Sequence, residues 1–185
     1  MQNQGTKALE TDRLILRQFR HGDAEDMFRN WASDPEVTKF LTWPTHTDVE
    51  FTRKLLGSWI ERYSEPSWYN WAIELKEAGK VIGNISVVRL DEEIEAAEIG
   101  YCMGKAWWGQ AIMPEALKTV IAYLVDEVGF NRVAACHDSN NPKSGRVMDK
   151  AGMKFEGVLR AAGKNNQGIC DKVWYSVLKS ERFLK

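Results

Sequence analysis

Hydrophobic and polar positions change period several times along the chain, and each change marks an element. Arg13-Leu14-Ile15-Leu16-Arg17-Gln18-Phe19 is a short β-forming run and predicts a first strand. Asp23 begins an acidic turn, after which Met27, Phe28 and Trp31 recur at helical spacing until Ser33-Asp34-Pro35 stops the pattern. Thr47-Asp48-Val49-Glu50 has the form of a capping box, and Thr52, Leu55, Leu56, Trp59, Ile60 and Tyr63 continue one face of a second helix. From Trp68 the period shortens to two. It predicts strands over 68–75, 81–90 and 95–103, joined by the polar turns Lys76-Glu77-Ala78-Gly79-Lys80 and Asp91-Glu92-Glu93.

The stretch that follows is the most informative in the chain. Glu98-Ile99-Gly100-Tyr101 lies in a strand that runs into Trp107-Trp108-Gly109-Gln110-Ala111-Ile112-Met113 and then into a helix. That helix is expected to open with Pro114, carries apolar residues at 117, 120, 121, 124, 125 and 128, and is closed by Gly129. A loop with Gly109 and Ala111 lets backbone approach a ligand, and the N–H groups of a first helical turn favour an anion such as a phosphate or pyrophosphate. An ordinary turn before a helix has the same local appearance. A strand over 132–137 comes next, and the order strand, helix, strand implies a parallel pair. Asn141-Pro142 reads as the N-cap and first residue of a short helix through Val147, Met148 and Ala151, ended by Gly152. Residues 153–162 and 169–178 complete a C-terminal β-hairpin, the seventh strand in the count.

Composition narrows the class without naming it. With 185 residues, the chain fits the ~100 to 200 residues of one domain. Lys and Arg (25) nearly cancel Asp and Glu (26), so the charge footprint of a nucleic-acid or anionic-membrane partner is missing, and an anion must be met locally. The N-terminal residues are polar and no run is long enough to span a bilayer, which gives a cytoplasmic expectation. Cys102, Cys136 and Cys170 are odd in number and widely spaced, which suits reduced thiols; no C-x-x-C pair supports a metal site, and none is expected.

Three motifs in order carry a resemblance: Glu98-Ile99-Gly100-Tyr101, Trp107 to Ala116 with its Gly109 and Ala111, and Asn141-Pro142-Lys143-Ser144 followed by Lys150-Ala151-Gly152-Met153. With them the chain resembles the GCN5-related N-acetyltransferase (GNAT) superfamily. The opening Thr11-Asp12-Arg13-Leu14-Ile15-Leu16-Arg17 and the ending Asp171-Lys172-Val173-Trp174-Tyr175-Ser176 suit its RimJ/RimL-like branch, the ribosomal-protein N-terminal acetyltransferase-like group. The resemblance implies an α/β (α+β) fold in a single domain over 8–180: a mixed, mostly antiparallel sheet of about seven strands with a central parallel pair and helices on both faces. It also implies acetyl-CoA as co-substrate. The pyrophosphate would lie on Gly109, Gln110, Ala111, Ile112 and Met113 beside Trp108, the pantetheine arm would pair with Tyr101, Cys102 and Met103, and Asn141 and Ser144 would touch the cofactor. Two departures stand out: Ala106 holds a loop position usually filled by Arg or Gln, and Met148 stands where many relatives carry a proton-donating Tyr.

Acetyl transfer to an amine needs a base, support for a developing oxyanion and a proton for the leaving thiolate. In the strand, Glu98, Gly100 and Cys102 share one face and Ile99 and Tyr101 the other, so Glu98 is the first candidate base; a charge on a solvated strand face would follow the same alternation. Glu74 is the second candidate. A backbone N–H near Cys102 is the candidate oxyanion donor, and Ser144 the candidate acid. Asn141 is already accounted for as a helix cap, and Trp31, Trp59 and Trp71 as core; Trp43, beside Pro44, is where a lid over the acceptor would sit. His21, His46 and His137 are read as loop residues without a role. The expected acceptor is a primary amine, at a protein or peptide N-terminus or on a small molecule, met by a monomer or homodimer. An antibiotic or polyamine acetyltransferase and a CoA-binding sensor without turnover, prompted by Ala106 and Met148, are the alternatives.

Overall fold

The computed structural model describes residues 1–182. Its strands are β1 (Leu9–Glu10), β2 (Leu14–Arg17), β3 (Asn70–Leu75), β4 (Lys80–Asp91), β5 (Ala96–Met103), β6 (Arg132–Asp138), β7 (Lys154–Asn165) and β8 (Gly168–Leu178). They form one sheet in the order β1-β2-β3-β4-β5-β6-β8-β7, antiparallel throughout except for the β5–β6 pair. The count is eight because the two-residue β1 pairs with β2, a strand too short to leave a period in the sequence.

Helices cover both faces. α4 (Ile112–Ala122), continued to Val128 by π-helical turns, and α5 (Pro142–Lys150) pack on one face against Leu14, Leu16, Trp71, Ile73, Ile82 and Ile85. α1 (Ala24–Met27), α2 (Pro35–Thr38) and α3 (Val49–Glu61) lie on the side of the other core, where Trp31, Val37 and Leu56 close over Ala72 and Val81. Trp71 and Ala72, adjacent in β3, belong to opposite cores, as the pleat requires. Trp31 and Trp71 are fully buried, each contributing roughly 1.5–3 kcal/mol by removal from water.

Several boundaries depart from the expectations. Pro35 does not only end a helix: Asp34 caps α2 by accepting from the Glu36 N–H at 2.8 Å, and Pro35 is its first residue. The cap of α3 is Asp48, whose Oδ1 accepts from the Phe51 N–H at 2.8 Å, so the capping-box reading through Thr47 is displaced by one residue. β3 starts at Asn70, and Trp68 instead lies under the Arg62 guanidinium at 3.7 Å from the ring centre. α4 begins at Ile112, two residues before Pro114, with Ala111 as its N-cap in the left-handed region (φ 59°). His46 is a loop residue as expected, though buried, whereas His137 lies within β6 and is buried there.

Candidate active site

β5 and β6 pair only through Ala96↔Arg132, Ala97↔Val133 and Glu98↔Ala134, and beyond Glu98 they diverge. This V-shaped opening in the sheet is the centre of the site. The Gly104 N–H donates to the Ile82 carbonyl on β4 at 2.9 Å. Because alternate residues of an antiparallel strand turn their amides to the same side, Cys102 and Gly100 bond β4, while Tyr101 and Met103 turn theirs into the opening. The Met103 carbonyl meets the Trp108 indole N–H there at 2.8 Å. Cys102, whose thiol donates to Asn84 Oδ1 at 2.9 Å, therefore offers neither amide nor side chain to the opening.

At the wide end of the opening lies the loop before α4. Gly109 (φ 80°) and Ala111 are both left-handed, and among the described residues no protein acceptor takes the N–H groups of Gly109, Gln110, Ala111, Ile112 or Met113. Pro114 contributes no donor, and the first intrahelical bond is Glu115 N–H to the Ala111 carbonyl at 3.3 Å. Consecutive free donors at the positive end of a helix suit a diphosphate. Arg13 braces the loop: one guanidinium nitrogen donates to the Gln110 carbonyl at 3.0 Å, and Nε donates to Glu115 at 2.8 Å. Burial pushes the Glu115 carboxyl up, but hydrogen bonds from Thr11 and Arg13 outweigh it and hold it below the usual carboxylate range.

The third wall is the start of α5. Asn141 occupies the N-cap position, yet its side chain makes no capping bond, so the amide is available to a ligand. Lys143 Nζ lies 5.4 Å from the Trp108 ring centre, linking α5 to the loop across the opening. The Tyr101 hydroxyl crosses from β5 to α5 and lies 2.9 Å from Ser144 Oγ and 3.0 Å from the Ser144 carbonyl. Met148 is buried.

Glu98 stands at the apex on the opposite face. The Cys136 thiol lies 3.6 Å from its Oε1 as donor, and a cavity of about 200 Å³, lined also by Arg89, Arg132, Ala134 and Trp174, opens beside it. Burial raises both thiols, Cys102 to about 12 and Cys136 to about 11, so neither is a nucleophilic thiolate at neutral pH. Glu74, by contrast, is in β3, two strands from β5, where its carboxylate takes Nε of Arg17 at 2.5 Å; Arg17 also forks onto Asp23 at 2.7 and 2.9 Å. The structure thus gathers Glu98, Tyr101, Met103, the 108–113 loop, Asn141 and Ser144 about one opening, and leaves Glu74 in a separate ion-pair network.

The acetyltransferase (GNAT) domain model matches residues 13–154. The chain belongs to the GNAT family. As such it is an N-acetyltransferase that uses acetyl-CoA. This GNAT chain is 32% identical over 175 residues to the uncharacterized N-acetyltransferase p20 of Bacillus licheniformis, covering 95% of its own length and 98% of the relative's. It is 38% identical over 142 residues to the putative ribosomal N-acetyltransferase YdaF of Bacillus subtilis, covering 77% and 76%. Among solved structures, the microcin C7 self-immunity acetyltransferase MccE in complex with acetyl-CoA and AMP superposes with a TM-score of 0.81 at 22% identity, over 91% of this chain and 93% of that one. Two contacts of the site were hidden from the sequence: the Arg13 brace and the Tyr101–Ser144 contact join positions 43 or more residues apart, beyond any local period.

Proposed function

We propose that this GNAT chain acetylates the primary amine of a protein or peptide N-terminus, with the 108–113 loop and Asn141 holding acetyl-CoA and Glu98 acting as base. The observation that carries the reading is the divergence of β5 from β6 immediately after Glu98, with free backbone donors lining the opening from there to α4. Acetyl-CoA, when bound, supplies the activated acyl group. The free N–H groups of Gly109 to Met113 suit its pyrophosphate, and the inward-turned amides of Tyr101 and Met103 suit its pantetheine amides and an oxygen gaining negative charge. Glu98, on the face away from α4, takes the amine proton directly or through one water, and Ser144 presents its hydroxyl from the opposite wall. The similarity to the putative ribosomal N-acetyltransferase favours a peptide N-terminus over an antibiotic or polyamine.

A panel of N-terminal peptides, polyamines and aminoglycosides, read by CoA release, tests the acceptor class: turnover confined to small amines overturns the peptide reading. Glu98→Gln is expected to lower kcat by roughly 10²-fold or more. Glu74→Gln is expected to leave kcat near wild type and to lower the melting temperature through loss of the Arg17 contact. An unchanged kcat in Glu98→Gln moves the base elsewhere.

A further inference from the structure

The buried Met148 leaves the usual phenol position of α5 without a polar group, yet a phenol still reaches α5 from the other wall. Tyr101 projects from β5 towards the α4 side of the sheet, and its hydroxyl meets both the carbonyl (3.0 Å) and the hydroxyl (2.9 Å) of Ser144. A carbonyl only accepts. With the phenol proton given to it, the short second contact is made by the Ser144 hydroxyl donating to the tyrosine oxygen. Nothing else among the described residues bonds Ser144 Oγ, so Tyr101 alone fixes where that hydroxyl points. The phenol is itself held: burial raises its pKa above the ordinary tyrosine range, so it stays protonated and a donor at any working pH.

We propose that Tyr101 is the positioning residue of Ser144: when the seryl proton turns to the sulfur of bound CoA, the phenol proton turns from the Ser144 carbonyl to Ser144 Oγ. This rests on the acetyl-CoA site proposed above. The rearrangement makes and breaks hydrogen bonds only, giving a chain from phenol O–H to seryl O–H to sulfur in which each donor strengthens the next. A weak serine donor is thereby supported by a second hydroxyl, in the place of the single phenol on α5.

Binding of CoA and of desulfo-CoA to wild type, Tyr101→Phe, Ser144→Ala and the double variant, followed by intrinsic tryptophan fluorescence, tests the proposal without turnover. One sulfur-directed hydrogen bond predicts that wild type binds CoA about two- to tenfold more tightly than desulfo-CoA. Tyr101→Phe and Ser144→Ala are each expected to bring that ratio towards one while leaving the desulfo-CoA affinity unchanged. In turnover, Tyr101→Phe is expected to lower kcat about tenfold with KM for acetyl-CoA within about twofold, and to have no further effect in the Ser144→Ala background, because residues acting through one group are not additive. Independent losses in the double variant, or a ratio untouched by Tyr101→Phe, overturn the proposal. Tyr101→Met, made in parallel, carries the same expectations should the phenylalanine variant not fold. Failure of wild type to bind either compound overturns the cofactor reading, and this proposal with it; binding of both with equal affinity overturns this proposal alone.

Discussion

At the scale of single residues, the loop proposed to hold the pyrophosphate depends on two backbone conformations that most side chains resist. Gly109 adopts φ 80° with open space around the position of a Cβ, so a substitution there would meet a conformational penalty and no clash. Ala111 holds φ 59° despite its Cβ, at a cost of about 1–2 kcal/mol for an L-residue. Its conformation ends the loop at the N-cap of α4. Ala111→Gly relieves the strain but loosens the unfolded chain by about 0.4–1 kcal/mol, so its stability is expected to stay within about 1 kcal/mol of wild type. Ala111→Val adds a β-branched side chain where φ is positive and is expected to lower the melting temperature by several degrees, on a scale of about 2–4 °C per kcal/mol for a chain of this size. Thermal melts of the two variants check this, and a valine variant that melts with wild type would show that the left-handed turn is not required.

At the scale of elements, the C-terminal half of the sheet is tied across three strands by one carboxylate. Glu156 on β7 accepts from Arg132 on β6 at 2.5 Å and from Ser176 on the intervening β8 at 2.7 Å. The Arg132 hydrogen bonds, against some burial and with help from Ser176, bring its pKa from 4.5 down to about 2. Above pH 4.5 the carboxylate is ionised in both states and its contribution to stability is complete. As pH falls from 4.5 towards 2, the unfolded chain takes up a proton that the folded chain refuses, so stability declines over that window. Urea midpoints at pH 5 and pH 3 are therefore expected to differ more for wild type than for Glu156→Gln; equal differences would remove Glu156 from the acid response. Elements of this kind were only partly legible in the sequence. Alternation correctly separated Glu98 from Tyr101, and the Asn141-Pro142 pair correctly started α5, because both signals are local. The Glu156 tie, the Arg17 network around Glu74 and the reach of Tyr101 to Ser144 depend on strand order, which no period encodes. Asn141 shows the same limit in reverse, since its fit to a cap was genuine for the backbone and absent for the side chain.

At the scale of the whole molecule, two bodies distant in sequence come together, the α2–α3 connection around Trp43 and the β7–β8 hairpin. Asn166, at the hairpin tip, joins them. Its N–H donates to the Leu41 carbonyl at 3.1 Å, and its side-chain amide donates to the carbonyls of Thr38 at 2.9 Å and Trp43 at 2.8 Å. The next residue back, Asn165, is anchored in turn to Asp138 at the end of β6, at 2.6 Å. The connection where the sequence placed a lid is thus clasped to the hairpin by one exposed asparagine, in addition to the packing of Trp43 on the core that holds Ala72 and Val81. Asn166→Ala removes two of the three bonds and leaves the backbone one. Since exposed hydrogen bonds contribute about 0.5–1.5 kcal/mol each at most, the fold should survive the change. The connection should not stay ordered: amide exchange over residues 38–46 is expected to quicken while that of α4 and β5 is unchanged. In turnover the expected signature is a severalfold rise in KM for the amine with KM for acetyl-CoA unaltered, because the 108–113 loop and the opening between β5 and β6 do not involve Asn166. A rise in both KM values would mean that the clasp shapes the sheet opening and not only the acceptor side, and unchanged exchange over 38–46 would show that the connection holds its place through the packing of Trp43 and His46 alone.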